Sequence, residues 1–257
     1  MKKTKVLLTL ACAVLLVAAS VMGTLAWLTD ASAVKNTFTA GSISFDDKDG
    51  KHGLDEAKVN LNGEPVNAQG TVVDKNAAPR VVENTYKLVP GHEYTKDPII
   101  HVAAGSEDCY LFVKVTNEIA AIEDTKTEGK KTIAQQMDEL GWKQVEDDKG
   151  NPVKGVYVLK VAKAENNVTT WSRKVVTTTD TAGADETVFN YFKLGDDVTD
   201  LSDYESKSIK VSAYAVQVDG FAGKSDYAIW TEAFAGMADP KVPSETEPPV
   251  VVPGAGE

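Results

Sequence analysis

Four stretches of this chain carry apolar residues with a period of two or in short unbroken runs. They are "YLFVKVTN" (110–117), "GVYVLKV" (155–161), "TVFNYFKL" (187–194) and "SIKVSAYAVQV" (208–218). Successive side chains of a strand point to opposite faces, so this period commits the chain to β structure. In the last stretch Ile209, Val211, Ala213 and Ala215 share one face, and Lys210, Ser212, Tyr214 and Val216 share the other. A sheet packed on one side and wet or partly wet on the other is expected from that pattern. Weaker strand signals lie at 37–45, 81–88, 98–103 and 168–176. Turn chemistry separates them, in "EDDKGNP" (146–152), "VPGHE" (89–93) and "GADE" (183–186). Roughly eight to ten strands at this spacing predict an all-β fold, a β-sandwich of jelly-roll-like or immunoglobulin-like kind.

Helical signals are confined to two places. In "KKTIAQQMDELGW", Thr132 is suited to cap a helix, Ile133, Met137 and Leu140 share a face, and Gly141 is placed to end it. In "SDYAIWTEAF" (225–234), Ser225 is the candidate cap and Gly236 lies beyond the end. One or two short helices decorating a sheet are expected.

The amino terminus carries a different kind of information. Lys2, Lys3 and Lys5 precede an uncharged run from Val6 to Met22, the pattern of an export leader. A cut after Ala26 places Thr24 and Ala26 where a signal peptidase requires small or short side chains, and leaves Trp27 as the new terminus. The alternatives are a cut after "ASA" at 31–33, an uncleaved anchor over Val6 to Leu28, and lipidation at Cys12, whose preceding apolar run is too short. The expected organisation is a signal peptide over 1–26, a sandwich domain over 27–238 and an extended, Pro-rich tail over 239–257. No LPxTG sorting motif follows that tail.

Loss of the three leader lysines takes the net charge from −11 to −14, which argues against nucleic acid and anionic lipid as partners. The membrane is then met only through the leader. Cleavage also removes Cys12, so Cys109 stands alone, no internal disulfide can form, and folding must rest on packing. Preceding "YLFVKV", Cys109 is expected to be a small buried apolar residue.

The stretches "GTLAWLTDASAVKNTFTAGSISF" (23–45) and "YKLVPGHEYTKDPIIHVAAGSEDCYLFVKVTN" (86–117) resemble the exported TasA and camelysin (CalY) proteins of Gram-positive bacteria, as does "VSAYAVQVDGF" (211–221) less closely. Much of 118–205 lies outside the likeness. The resemblance implies a jelly-roll-like sandwich, processing by a dedicated ER-type, SipW-like signal peptidase, and secretion to the biofilm matrix or cell surface. It also implies self-association, or association with other matrix subunits, into fibres.

Within "NTFTAGSISF", Phe38 and Ala40 share one face and the phase shifts at Gly41, so that Ile43 and Phe45 share the other. Such a strand could be donated to a neighbouring subunit, or could be the first strand of its own sandwich.

Camelysin-type members are classed as metallopeptidases, but this chain lacks H-E-x-x-H. Its histidines are His52, His92 and His101, and "GHEYTKDPIIH" places His92 and Glu93 on a turn and His101 on a following strand, where solvated turn residues are the better account. No catalytic residues and no cofactor are therefore assigned. "FDDKDGKHGLDE" (45–56) offers a weak calcium candidate in Asp47, Asp49 and Glu56, but Phe45 stands where the loop needs its first carboxylate, which favours an acidic solvated turn. A surface adhesin is the remaining alternative. It would need a concave site with clustered aromatics, and Trp27, Trp142, Trp171 and Trp230 are scattered along the chain.

Overall fold

A computed structural model describes residues 29–32, 43–45, 53–165, 168–237 and 240. Ala26, Trp27, Phe38, Asp47 and Asp49, and nearly all of the tail, lie outside the described residues.

The fold grows from the two best period-two stretches. Strand β6 (Cys109–Asn117) pairs antiparallel with β12 (Ile209–Gln217) over nine residues, from Ile209 opposite Asn117 to Gln217 opposite Cys109. On the other side of β6 lies β8 (Pro152–Glu165), flanked by β7 (Trp142–Glu146), and β9 (Val168–Arg173) folds back on the far half of β8. At the opposite edge, β1 (Thr29–Ser32) pairs antiparallel with β12, Thr29 facing Val216 and Ser32 facing Ala213. These six strands form the main sheet.

A second, four-stranded sheet contains β2 (Leu54–Ala57), β3 (Arg80–Val81), β5 (Ile99–Val102) and β10 (Ala184–Thr187), in the order β10-β5-β2-β3. Strands β4 (Glu93–Thr95) and β11 (Tyr191–Lys193) form a separate pair. All these pairings are antiparallel, and the protein is an all-β sandwich with, among the described residues, two short α-helices.

Alternation along β6 sorts the interior into two layers. Cys109, Leu111, Val113 and Val115 face the second sheet, together with Ala213 and Ala215 of β12, Leu159 of β8 and Trp142 of β7. Across from them lie Ile100, Val102, Phe189 and Phe192, and the first helix, α1 (Ile133–Glu139), adds Ile133 and Met137. Tyr110 and Phe112 point the other way, with Val156, Val158, Tyr214 and Val216. That face is not wet as expected. The second helix, α2 (Asp226–Ala233), covers it with Ile229 and Trp230, joined by Phe221 and Phe234. Fully burying one large apolar side chain contributes about 1.5–3 kcal/mol, so both layers hold the sheet.

Several local expectations are corrected. The stretch 187–194 is two strands, because Val188 and Phe189, both fully buried, carry the chain from β10 across to β11. "GADE" is the start of β10 rather than a turn. Of 81–88 only Val81 is in a strand, and Leu140 is 40% exposed at the end of α1 instead of joining Ile133 and Met137. Gly141 does end that helix: at φ 93° a Cβ there would meet Lys160 O at 2.4 Å. Cys109 is fully buried, and burial pushes its thiol up to about 12.

Candidate functional site

Two adjoining features stand out, a charged lock in the second sheet and a cleft between that sheet and β12. The lock follows from register. His101 on β5 lies opposite Asp185 on β10, and its Nδ1 is 2.7 Å from Asp185 Oδ1. Its backbone N–H donates to Gly53 O, which puts Asp55 of β2 within reach, and Nε2 is 3.0 Å from Asp55 Oδ1. Ionised carboxylates only accept, so two such contacts require an N–H on each ring nitrogen, and His101 is held as an imidazolium.

Arg80 of β3 closes the lock. Its Nε donates to Asp55 Oδ1 at 2.7 Å and Nη1 to Asp97 Oδ2 at 2.9 Å, while Nη2 donates to the carbonyls of both residues. Burial alone would raise the Asp55 pKa, but hydrogen bonds from His101 and Arg80, with their charges, lower it overall. Burial alone would lower the His101 pKa, but Asp55 and Asp185 raise it overall. Asp55 Oδ2 is buried with no hydrogen-bond partner among the described residues.

The cleft has a volume of ≈ 690 Å³ and is lined by Leu54, Tyr86, Phe192, Tyr204, Ile209 and Val211, among others. Burial, then the charges of Glu56 and Asp97, push the Tyr86 phenol well up, so it stays neutral and donates to Thr95 O at 3.1 Å. Glu56, on the face of β2 opposite to Asp55, sits at the wall and accepts from Lys96 Nζ at 2.6 Å and Asn84 Nδ2 at 2.9 Å. Above the cleft runs the edge of β12. Strand β1 pairs with Ala213–Val216, and among the described residues none pairs with Ile209–Ser212 on that edge.

The residues singled out in the sequence are dispersed. Ile43 and Phe45 are buried in the chain's own core, Phe45 bridging Val102 and Ser44 O accepting from Ala103 N at 2.7 Å. In this chain they are therefore part of its own sandwich, and donating them would open that core. Glu56 is not part of a solvated turn: it is buried on β2, where one oxygen accepts from Asn84 and the other from Lys96, while Asp47 and Asp49 lie outside the described residues. His92 Nε2 lies 2.7 Å from Asn62 O and Glu93 pairs with Lys130 at 2.5 Å, while His101 is buried rather than solvated. Among the described residues no group of three or more His, Cys, Asp or Glu is placed to hold a metal ion.

The cleft itself was not foreseen. Tyr86 lies in 81–88, a weak strand signal that gave no hint of a cleft, and Tyr204 in a segment without a strand or helix period; the one other signal was aromatic residues within otherwise polar stretches such as "ENTYKL". Searches of protein-family models, curated proteins and solved structures give no match to the chain. The likeness to TasA and camelysin rests on the motifs quoted above.

Proposed function

We propose that this is a secreted, non-enzymatic structural protein of the bacterial extracellular matrix or cell surface that assembles by exchanging its amino-terminal strand. The observation that carries this reading is the position of β1. Thr29–Ser32 complete the outer edge of the main sheet on β12, and they begin three residues after the candidate cleavage site at Ala26. A four-residue edge strand is held by few pairs, and the same pairs form equally well on β12 of a neighbour, which is β-augmentation by domain exchange. Before cleavage the leader would hold these residues at the bilayer, so a SipW-like signal peptidase would time assembly. Catalysis finds no support at His101, because both its nitrogens are engaged by carboxylates.

Pairing Ser32→Cys with Ala213→Cys tests the exchange, since these residues face one another in register. Disulfide-linked oligomers that grow with concentration are expected, alongside polymers seen by light scattering and electron microscopy. Only intrachain bonds and a monomer at every concentration would sink the reading. Deleting 27–36 should leave a folded chain, by circular dichroism, that no longer polymerises.

The cleft favours a second reading, a surface binding module. It brings together the aromatics that an adhesin site needs, as Tyr86, Tyr204 and Phe192.

A further inference from the structure

The cleft beside β12 combines three kinds of surface. Tyr86, Tyr204 and Phe192 are aromatic, and Leu54, Leu88 and Val211 are half-buried apolar side chains. Lys87, Lys207 and Lys210 also line it and outnumber the exposed Glu83 and Glu205, while Lys96 and Glu56 neutralise one another. One more lining residue matters: Pro240, itself buried, lies in the cleft wall. The chain thus enters its tail from inside the cleft.

The sequence that follows is complementary to those walls. Residues 241–257 read "KVPSETEPPVVVPGAGE", with Pro243, Pro248, Pro249 and Pro253 around the apolar run Val250–Val252, and with acidic Glu245 and Glu247. Proline fixes φ, so a segment of this composition loses little conformational entropy when it docks in polyproline II form. Aromatic-lined grooves are the usual receptors for that form. We propose that residues 241–257 dock into the cleft of their own chain as a proline-rich intramolecular ligand, with Val250–Val252 on the apolar wall and the glutamates toward the lysines. Tethering at Pro240 gives an effective concentration on the order of millimolar, so contacts too weak for a free peptide suffice. The inference does not depend on strand exchange, because β12 meets β1 at Ala213–Val216 and the cleft wall lies at Ile209–Ser212.

A nitroxide on Val251→Cys in the intact chain tests this, with Cys12→Ser to remove the leader's thiol. Cys109 is fully buried with its thiol pushed up to about 12, and stays unlabelled. Line broadening of amide signals is expected at Thr85–Leu88 and Ile209–Val211, unchanged on dilution. The double variant Lys207→Glu, Lys210→Glu should weaken it severalfold, with the circular dichroism of the parent. Broadening that is uniform, or confined to the neighbours of Pro240, overturns the proposal. Broadening at the cleft that fades on dilution assigns the site to a second copy's tail and overturns intrachain docking. Undiminished broadening in the double variant overturns the role given to the lysines.

Discussion

Phe112 and Val113 are neighbours on β6, yet their side chains enter layers that are held in different ways. Phe112 points into a layer of aromatic and aliphatic groups under α2, its ring 5.5 Å from that of Phe234 and 6.2 Å from that of Trp230. Val113 points toward the second sheet, where apolar packing is bounded by the lock of Asp55, Arg80, Asp97, His101 and Asp185. Dispersion and the hydrophobic effect are indifferent to proton concentration, whereas a buried charge network is not. One sheet therefore carries a face held chiefly by apolar packing, with the ion pairs of Asp226 at the start of its helix, and a face bounded by a buried charge network that responds to pH.

The largest expected effect breaks the aromatic layer. Phe112→Ala removes a fully buried ring and leaves a cavity, at a cost of about 3–5 kcal/mol. Urea denaturation should give the same loss at acidic and neutral pH. A loss that varied strongly with pH would mean that the two layers are not separable in this way.

Arg80→Met attacks the other layer and comes close behind. Asp97 would be left buried without its cation and Asp55 with His101 alone, which costs about 3 kcal/mol or more at neutral pH. Acid should narrow that deficit as the carboxyls protonate, in contrast to Phe112→Ala. If the two variants respond alike to pH, the lock does not hold the second sheet electrostatically.

A smaller effect concerns the pH profile of the intact chain. His101 has a raised folded pKa, so its contribution is full below its unfolded value of about 6.5 and is lost as pH rises through the folded value. Glu123, which burial raises to about 6, acts in the same direction: its contribution is present below its unfolded value of about 4.3 and fades as pH rises through about 6. Asp55 runs oppositely, contributing above about 3.9 and losing this as pH falls through its lowered folded value. The urea midpoint should therefore be higher near pH 5 than near pH 8. His101→Gln and Glu123→Gln should each flatten part of that slope. A midpoint that rises from about pH 5 to about pH 8 would contradict the imidazolium assignment.

The two layers were also unequally legible in the sequence. Strands β6 and β12 announce themselves because alternation over nine residues reports which side chains meet water and which do not. The covering of Tyr214 and Val216 by α2 was hidden, since Tyr214 alternates with alanines and resembles a half-wet face until a helix is known to lie on it. Strands β2, β3 and β4 have two to four residues, too few for a period to show. The lock is assembled from segments up to 130 residues apart, Asp55 to Asp185, and only register brings them together. Arg80 carried no local motif, and Asp97 entered only as part of the 86–117 stretch that carries the resemblance, with no role of its own. The capping residues, in contrast, act within one turn, and both Thr132 and Ser225 were readable.

Those caps supply the finest comparison, because one helix closes each layer. At the start of α1, Thr132 Oγ1 accepts from Gln135 N at 3.3 Å and Gln135 Oε1 accepts from Thr132 N at 2.9 Å, a reciprocal capping box. At α2, Ser225 Oγ accepts from Ala228 N at 3.1 Å, and Asp226 in the first turn is tied to Arg173 and Lys160, each at 2.6 Å. Thr132→Ala removes the acceptor for one orphan N–H and undoes the geometry of the second bond, at a cost of about 1 kcal/mol. Ser225→Ala should cost less, because the ion pairs of Asp226 still anchor the helix start to β8 and β9 and its carboxylate still faces the helix dipole. Amide hydrogen exchange at Gln135 and Ala228 reads the two ends separately from global unfolding. Faster exchange at Gln135 in Thr132→Ala, with a lesser change at Ala228 in Ser225→Ala, is the expected order. The reverse order would mean that α2 is held on the aromatic layer by its cap rather than by Asp226 and the packing of Trp230.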